Sequence, residues 1–113
     1  MRVDLDQTLS ALAAPARRGI VDLLREGPRS ASELADALVL PRPALSKHLR
    51  VLREAGVVEQ EGIESDGRVR MVQLRREPFE ALRDWVADVE GFWTAQLDAF
   101  AKHAEQKHGK GRR

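Results

Sequence analysis

The chain contains no cysteine. Disulfides, thiolate metal sites and cysteine nucleophiles are therefore excluded, and a reducing compartment is allowed. No apolar run approaches the length of a membrane-spanning helix, so no membrane partner is expected. Neither charge dominates: 19 Lys and Arg against 18 Asp and Glu leave a net charge of +1. Any electrostatic message must then lie in where the charges sit. There is no Gly-rich phosphate loop and no H-E-x-x-H. No serine or threonine has a His/Asp partner at a recognisable spacing. Catalysis is therefore not expected, and neither is a cofactor. The acidic, polar start from Met1 to Asp6 does not read as a signal peptide. A cytoplasmic location is the resulting expectation.

What is present suits one soluble folded domain: 113 residues, 42% hydrophobic and 33% charged. Its expected extent is residues 1–105, followed by a basic, disordered tail over 106–113. The apolar spacing predicts four helices, a hairpin and a long final helix. Leu5, Leu9, Leu12 and Ala13 share one face of the first helix. Pro15 opens the second, with Ala16, Ile20, Leu23 and Leu24 as its stripe, and Gly27-Pro28 ends it. Ser30 and Glu33 fit a capping box for a third helix carrying Leu34, Ala35 and Leu38 inward. Val39 to Pro41 make a turn. A fourth helix then places Leu45, Leu49 and Leu52 on one side and stops at Gly56.

Residues 57–74 read as two strands around Ser65-Asp66-Gly67, an Asp-Gly hairpin turn flanked by β-branched residues. Gly62 suggests a bulge. Pro78 separates this hairpin from the last helix. There Phe79, Leu82, Val86, Val89, Trp93, Leu97 and Phe100 follow helical spacing, widened by Trp85 and Phe92.

Two helices joined by a three-residue turn, with a tight hairpin behind them, make a winged helix-turn-helix. Its second helix, about 41–55, would enter the DNA major groove beside a wing at about 57–74. The charges agree. From Pro41 to Arg53 the basic residues are Arg42, Lys47, Arg50 and Arg53, with no acid among them. Arg42, Pro43, Ser46, Arg50 and Arg53 cluster on one face with Lys47 at its edge. Leu45, Leu49 and Leu52 take the other side. Such a face can donate to base edges and phosphates, though a charged face is also what water alone would select. His48, beside the core face, fits a packed histidine or a DNA contact. Arg70 fits a wing contact or a solvated strand residue. Arg17 and Arg18 suit intramolecular partners as well as phosphates.

At this point the chain resembles a known family. Residues 13–24, AAPARRGIVDLL, and residues 41–58, PRPALSKHLRVLREAGVV, are similar to two signature segments of ArsR/SmtB-type repressors. Gly67-Arg68 and the strand after it resemble that family's wing, and the likeness spans roughly 5–100. It implies a mainly α fold with a β-hairpin wing, ordered α-α-α-α-β-β-α and dimeric through the first and last helices. It also implies a homodimeric repressor of a palindromic double-stranded operator. The family's base-reading positions fall on Arg42, Pro43, Ser46 and Lys47, with Arg50, Arg68 and Arg70 as further contacts and His48 and Arg53 as weaker candidates. Arg42 stands where Gln is common. Arginine holds guanine O6 and N7 in a bidentate contact whereas Gln prefers adenine, so a guanine is expected opposite it, with a phosphate contact as the alternative. Pro41 replaces a frequent Ser, losing a hydroxyl cap.

Many relatives sense metals through cysteines on the third helix. Here that segment reads Ser32-Glu33-Leu34-Ala35-Asp36. His103 and His108 are five apart, off the spacing that aligns two ligands, so no metal site is expected, an oxygen/nitrogen site from Asp98 and His103 being the alternative. The apolar stripes predict a dimer interface built from Leu5, Leu9, Leu12, Trp85, Val89, Phe92, Trp93, Leu97 and Phe100. The aromatic helix also leaves room for a small-molecule effector of unknown identity. The competing class is a winged-helix module that binds only protein.

Overall fold

The structure, a computed structural model, describes the backbone of residues 3–62 and 70–111 and side chains as far as residue 105. The described elements run α1 (Leu5–Leu12), α2 (Pro15–Leu24), β1 (Arg29–Ser30), α3 (Ala31–Leu38), α4 (Arg42–Glu54), β2 (Val58–Gly62), β3 (Arg70–Leu74) and α5 (Glu77–Gly111). They fall into two compact units, Met1–Leu82 and Arg83–Arg113. The division lies within α5, where one domain over 1–105 was expected. The expected turn at Ser65-Asp66-Gly67, with Ile63, Arg68 and Val69, lies outside the described residues.

Each helix start has a local cause. The Asp4 carboxylate accepts the N–H groups of Asp6 and Gln7 at 2.9 and 3.2 Å, satisfying two donors left open at the start of α1. Pro15 sits in the first turn of α2, where its missing N–H costs nothing. The capping box of α3 is complete. Ser30 Oγ accepts from the Glu33 N–H at 3.2 Å, and Glu33 Oε1 accepts from the Ser30 N–H at 3.1 Å. The Ser30 backbone donor, and then its hydroxyl, hold the Glu33 carboxyl below its ordinary pKa. Pro41 caps α4 with no side-chain bond, as the loss of a hydroxyl there implies.

The core gathers one row from each element. Ile20 and Leu24 meet Leu34 and Ala35, Leu45, Leu49 and Leu52, and then Val57, Val58 and Val72 of the sheet. These are mostly the inward residues that the apolar spacing selects. On α1 the buried residues are instead Thr8 and Ala11. Leu9 is exposed, and Leu5 and Leu12 are half-buried. Thr8 can be buried because its hydroxyl donates to the Asp4 carbonyl at 3.1 Å.

Four further readings need correction. Besides the hairpin strands, a two-residue strand, β1, pairs with β3, giving the sheet order β1-β3-β2. So short a strand has no period to detect, and Ser30 serves both as its end and as the α3 cap. Gly62 makes no bulge: β2 and β3 pair in unbroken register from Val58↔Leu74 to Gly62↔Arg70. Pro78 does not precede α5 but lies in its first turn, buried, because a first-turn proline gives up no helical hydrogen bond. At its other end α5 continues to Gly111 rather than closing near 105. No proline interrupts the segment, and Glu105, Gln106 and Lys107 favour helix.

Arg17 and Arg18 resolve as intramolecular. The last carbonyls of α1 lack an i+4 helical partner, and the Ala13 N–H reaches back to Ser10 O at 3.2 Å. Arg18 Nη1 donates to the Leu12 and Ala13 carbonyls, both at 2.9 Å. Arg17 Nε donates to Ala11 O at 2.6 Å, and its Nη2 donates to Ser10 O at 3.3 Å. Its third nitrogen, Nη1, lies 3.3 Å from His48 Nδ1 on α4. Arginine has no acceptor, so this contact requires Nδ1 unprotonated and the imidazole hydrogen on Nε2. One guanidinium therefore ties the end of α1, the start of α2 and the middle of α4.

Two predictions follow from these contacts. Arg17→Met should lower stability by about 2 kcal/mol in chemical denaturation at fixed protein concentration, with Arg17→Lys in between. A loss under about 0.5 kcal/mol would mean that water replaces the cap. Val39 ends α3 at φ 52° and ψ 51°, a left-handed conformation costly for a β-branched residue. At 87% exposure it packs on little. Val39→Gly should therefore stabilise by about 1 kcal/mol and raise Tm by about 4 °C.

Candidate nucleic-acid interface

The recognition helix is positioned by what it buries. Leu45, Leu49 and Leu52 are at most 3% exposed and anchor α4 in the core. The next turn locks its end. Gly56 takes φ 75°, and the Val57 N–H returns to the Leu52 carbonyl at 2.9 Å. Burying the leucine side leaves Arg42, Pro43, Ser46, Lys47, Arg50 and Arg53 exposed. The structure thus brings six of the expected contact residues onto the open surface of one helix.

The basic side chains on that surface are not equivalent. Arg42 Nη1 donates to Ser32 Oγ of α3 at 2.7 Å. Arg53 Nη1 donates to Gln60 Oε1 of β2 at 2.6 Å. Both ends of the row are thereby tied to neighbouring elements. Lys47 and Arg50, between them, make no hydrogen bond or ion pair among the described residues. Unpaired cations on an exposed helix are the groups most available to phosphate oxygens. Neither Ser32 nor Gln60 was legible as a partner. Each lies on a different element from its arginine, so no helical or strand spacing relates the two.

His48 is half-buried and faces Arg17 through Nδ1. Arg70 is exposed at the start of β3, across from Gly62. Arg68 lies outside the described residues. Among the described residues, no group of three or more His, Asp or Glu side chains is placed to hold a metal ion. No helix among them is long and apolar enough to cross a membrane.

In the second unit the apolar stripe of α5 is open. Phe92, Trp93, Leu97 and Phe100 are all more than half exposed, and Trp85 nearly so. The Phe92 and Trp93 rings meet edge to face, with centroids 5.4 Å apart.

Comparison with known proteins agrees with this geometry. A family model described as a helix-turn-helix domain matches residues 12–61, from the end of α1 into β2. The HTH-type transcriptional regulator Rv2034 of Mycobacterium tuberculosis is 39% identical over 97 residues, which make up 86% of this chain and 85% of that protein. The crystal structure of the ArsR family transcriptional regulator RHA00566 superposes with a TM-score of 0.71 at 32% identity, covering 80% of this chain and 96% of that one. The homodimeric winged helix-turn-helix DNA-binding domain of Mb0332 from Mycobacterium bovis gives a TM-score of 0.61 at 28% identity, covering 74% and 78%. A buried leucine row, an exposed basic row and a sheet-borne wing thus occur together with relatives of matching length and topology, and the chain belongs to the ArsR/SmtB family of winged helix-turn-helix transcriptional regulators.

Proposed function

We propose that the protein is a homodimeric cytoplasmic repressor that binds a palindromic operator, with α4 in the major groove and the β2–β3 wing beside it. The observation that carries this reading is the exposed basic row of α4, acid-free from Pro41 to Arg53, with Lys47 and Arg50 free among the described residues. Lys47, one of the base-reading positions that the family resemblance implies, is assigned here with Arg50 to phosphates, because both cations are unpaired among the described residues. Arg42, Pro43 and Ser46 face base edges, and Arg42 takes a guanine. Arg70 and Arg68 serve the wing. A two-fold dimer sets the two half-sites about 34–36 Å apart, one turn of DNA.

The reading is tested by selecting duplexes from a random pool and then measuring anisotropy across a salt series. The selected duplex should bind with a Kd of about 10⁻⁸ to 10⁻¹¹ M and beat random DNA by at least 10³-fold. Lys47→Ala should weaken all sequences alike and reduce the salt slope by about 1. Arg42→Gln should change the preferred base at one position of each half-site. Binding equal to random DNA, or independent of salt, would leave a protein-only adaptor as the function.

The dimer rests on the open stripe of α5, including Trp93, Leu97 and Phe100. Contiguous apolar surface of this kind is rare on a free monomer. Mb0332 is described as homodimeric. Sedimentation should give twice the chain mass. Trp93→Glu should give a monomer that keeps its helical circular dichroism but loses at least tenfold in operator affinity. A wild-type monomer at micromolar concentration would overturn this arrangement.

A further inference from the structure

We propose that Ser32 is a positioning residue for sequence reading: its hydroxyl holds the Arg42 guanidinium by one corner and leaves the opposite edge to take guanine. The inference rests on Arg42 being a base reader. A guanidinium has five N–H donors in a fixed plane. The 2.7 Å bond to Ser32 Oγ uses one of the two on Nη1. The Nε–H and Nη2–H donors remain, side by side and parallel. That pair has the spacing needed for guanine O6 and N7.

Ser32 is suited to this task by what its neighbour already does. Ser30, two residues earlier, commits its hydroxyl to the Glu33 N–H in the capping box. Ser32 lies in the first turn of α3, between the two residues of that box but taking no part in it, and its hydroxyl meets Arg42 alone among the described residues. The two serines thus divide the work: one starts α3, and the other reaches across to α4. Arginine carries about 2 kcal/mol of rotamer freedom. Fixing one corner before DNA arrives removes part of the ordering cost that a free side chain meets on binding. The fixed corner also sets which way the fork faces, so its effect should appear in base discrimination rather than in overall affinity.

The test compares the full-length protein on two duplexes. One is the selected operator; the other has the guanine pair read by Arg42 replaced by A·T in both half-sites. Ser32→Ala should reduce the affinity ratio between them by about threefold to tenfold. It should leave the affinity for the replaced duplex, the salt slope and the helical content unchanged. Alanine is a better helix former than serine, so α3 should not be weakened. Ser32→Thr keeps the hydroxyl and should restore the ratio. Arg42→Ala is the reference. If it abolishes discrimination while Ser32→Ala leaves it intact, Ser32 has no positioning role although Arg42 still reads the base. Equal weakening on both duplexes by Ser32→Ala would place Ser32 on the DNA backbone and overturn the proposal. If Arg42→Ala itself leaves discrimination untouched, the base-reading assignment fails first, and the role of Ser32 with it.

Discussion

The winged body depends on how the open end of α1 is closed. A helix of eight residues leaves half of its carbonyls without helical partners. In this chain two consecutive arginines from the first turn of α2 donate to the Ser10, Ala11, Leu12 and Ala13 carbonyls, and one of them continues to His48. The same guanidinium is therefore a cap, a corner brace and a strut against the recognition helix. A permanent cation suits all three tasks, because it cannot lose its proton and has donors on three sides. It also couples α1 to α4, since the guanidinium that caps the end of α1 also meets His48.

The recognition helix is held in a complementary way. Leucines anchor its buried side, and this sets its depth in the body. Hydrogen bonds to α3 and β2 restrain the arginines at its two ends. Between them Lys47 and Arg50 remain free among the described residues. On the proposed function, the arrangement separates two demands on a DNA-binding surface. Groups that choose a base gain from being preset, because a misplaced fork loses its bidentate geometry. Groups that find phosphates gain from reach, because the backbone they meet is the same at every step.

Much of this was legible in the residues. The leucine row of α4, the Ser30–Glu33 box and the stop at Gly56 are local patterns, and local patterns survive folding because their partners lie within one turn. What was hidden depends on contacts between distant segments. Arg17 reaches His48 across 31 positions, and Arg42 reaches Ser32 across ten. No periodicity encodes either pair. The α1 stripe was only partly legible for a related reason. Leu5, Leu9 and Leu12 are the conspicuous apolar residues, yet the small Ala11 and the self-satisfied Thr8 are what fit against the body. Apolar spacing identifies a face but not which neighbour it meets. A surface left open within one protomer looks the same in sequence as one facing the core. The two-residue β1 and the first-turn Pro78 were obscured by their brevity, since a cap, a strand end and a helix start can share the same few residues.

The placement of the aromatic residues gives the molecule an optical asymmetry. The chain has two tryptophans and no tyrosine, and both indoles lie on the part of α5 beyond Leu82. Light absorbed in the indole band is therefore absorbed only there, while the winged body is dark at those wavelengths. Both rings are substantially open to water in the single chain, so their emission is set by whatever comes to cover that helix. Titrating the native protein with DNA, with a small molecule or simply with more of itself would therefore separate events at α5 from events at the reading helix, without attaching a dye.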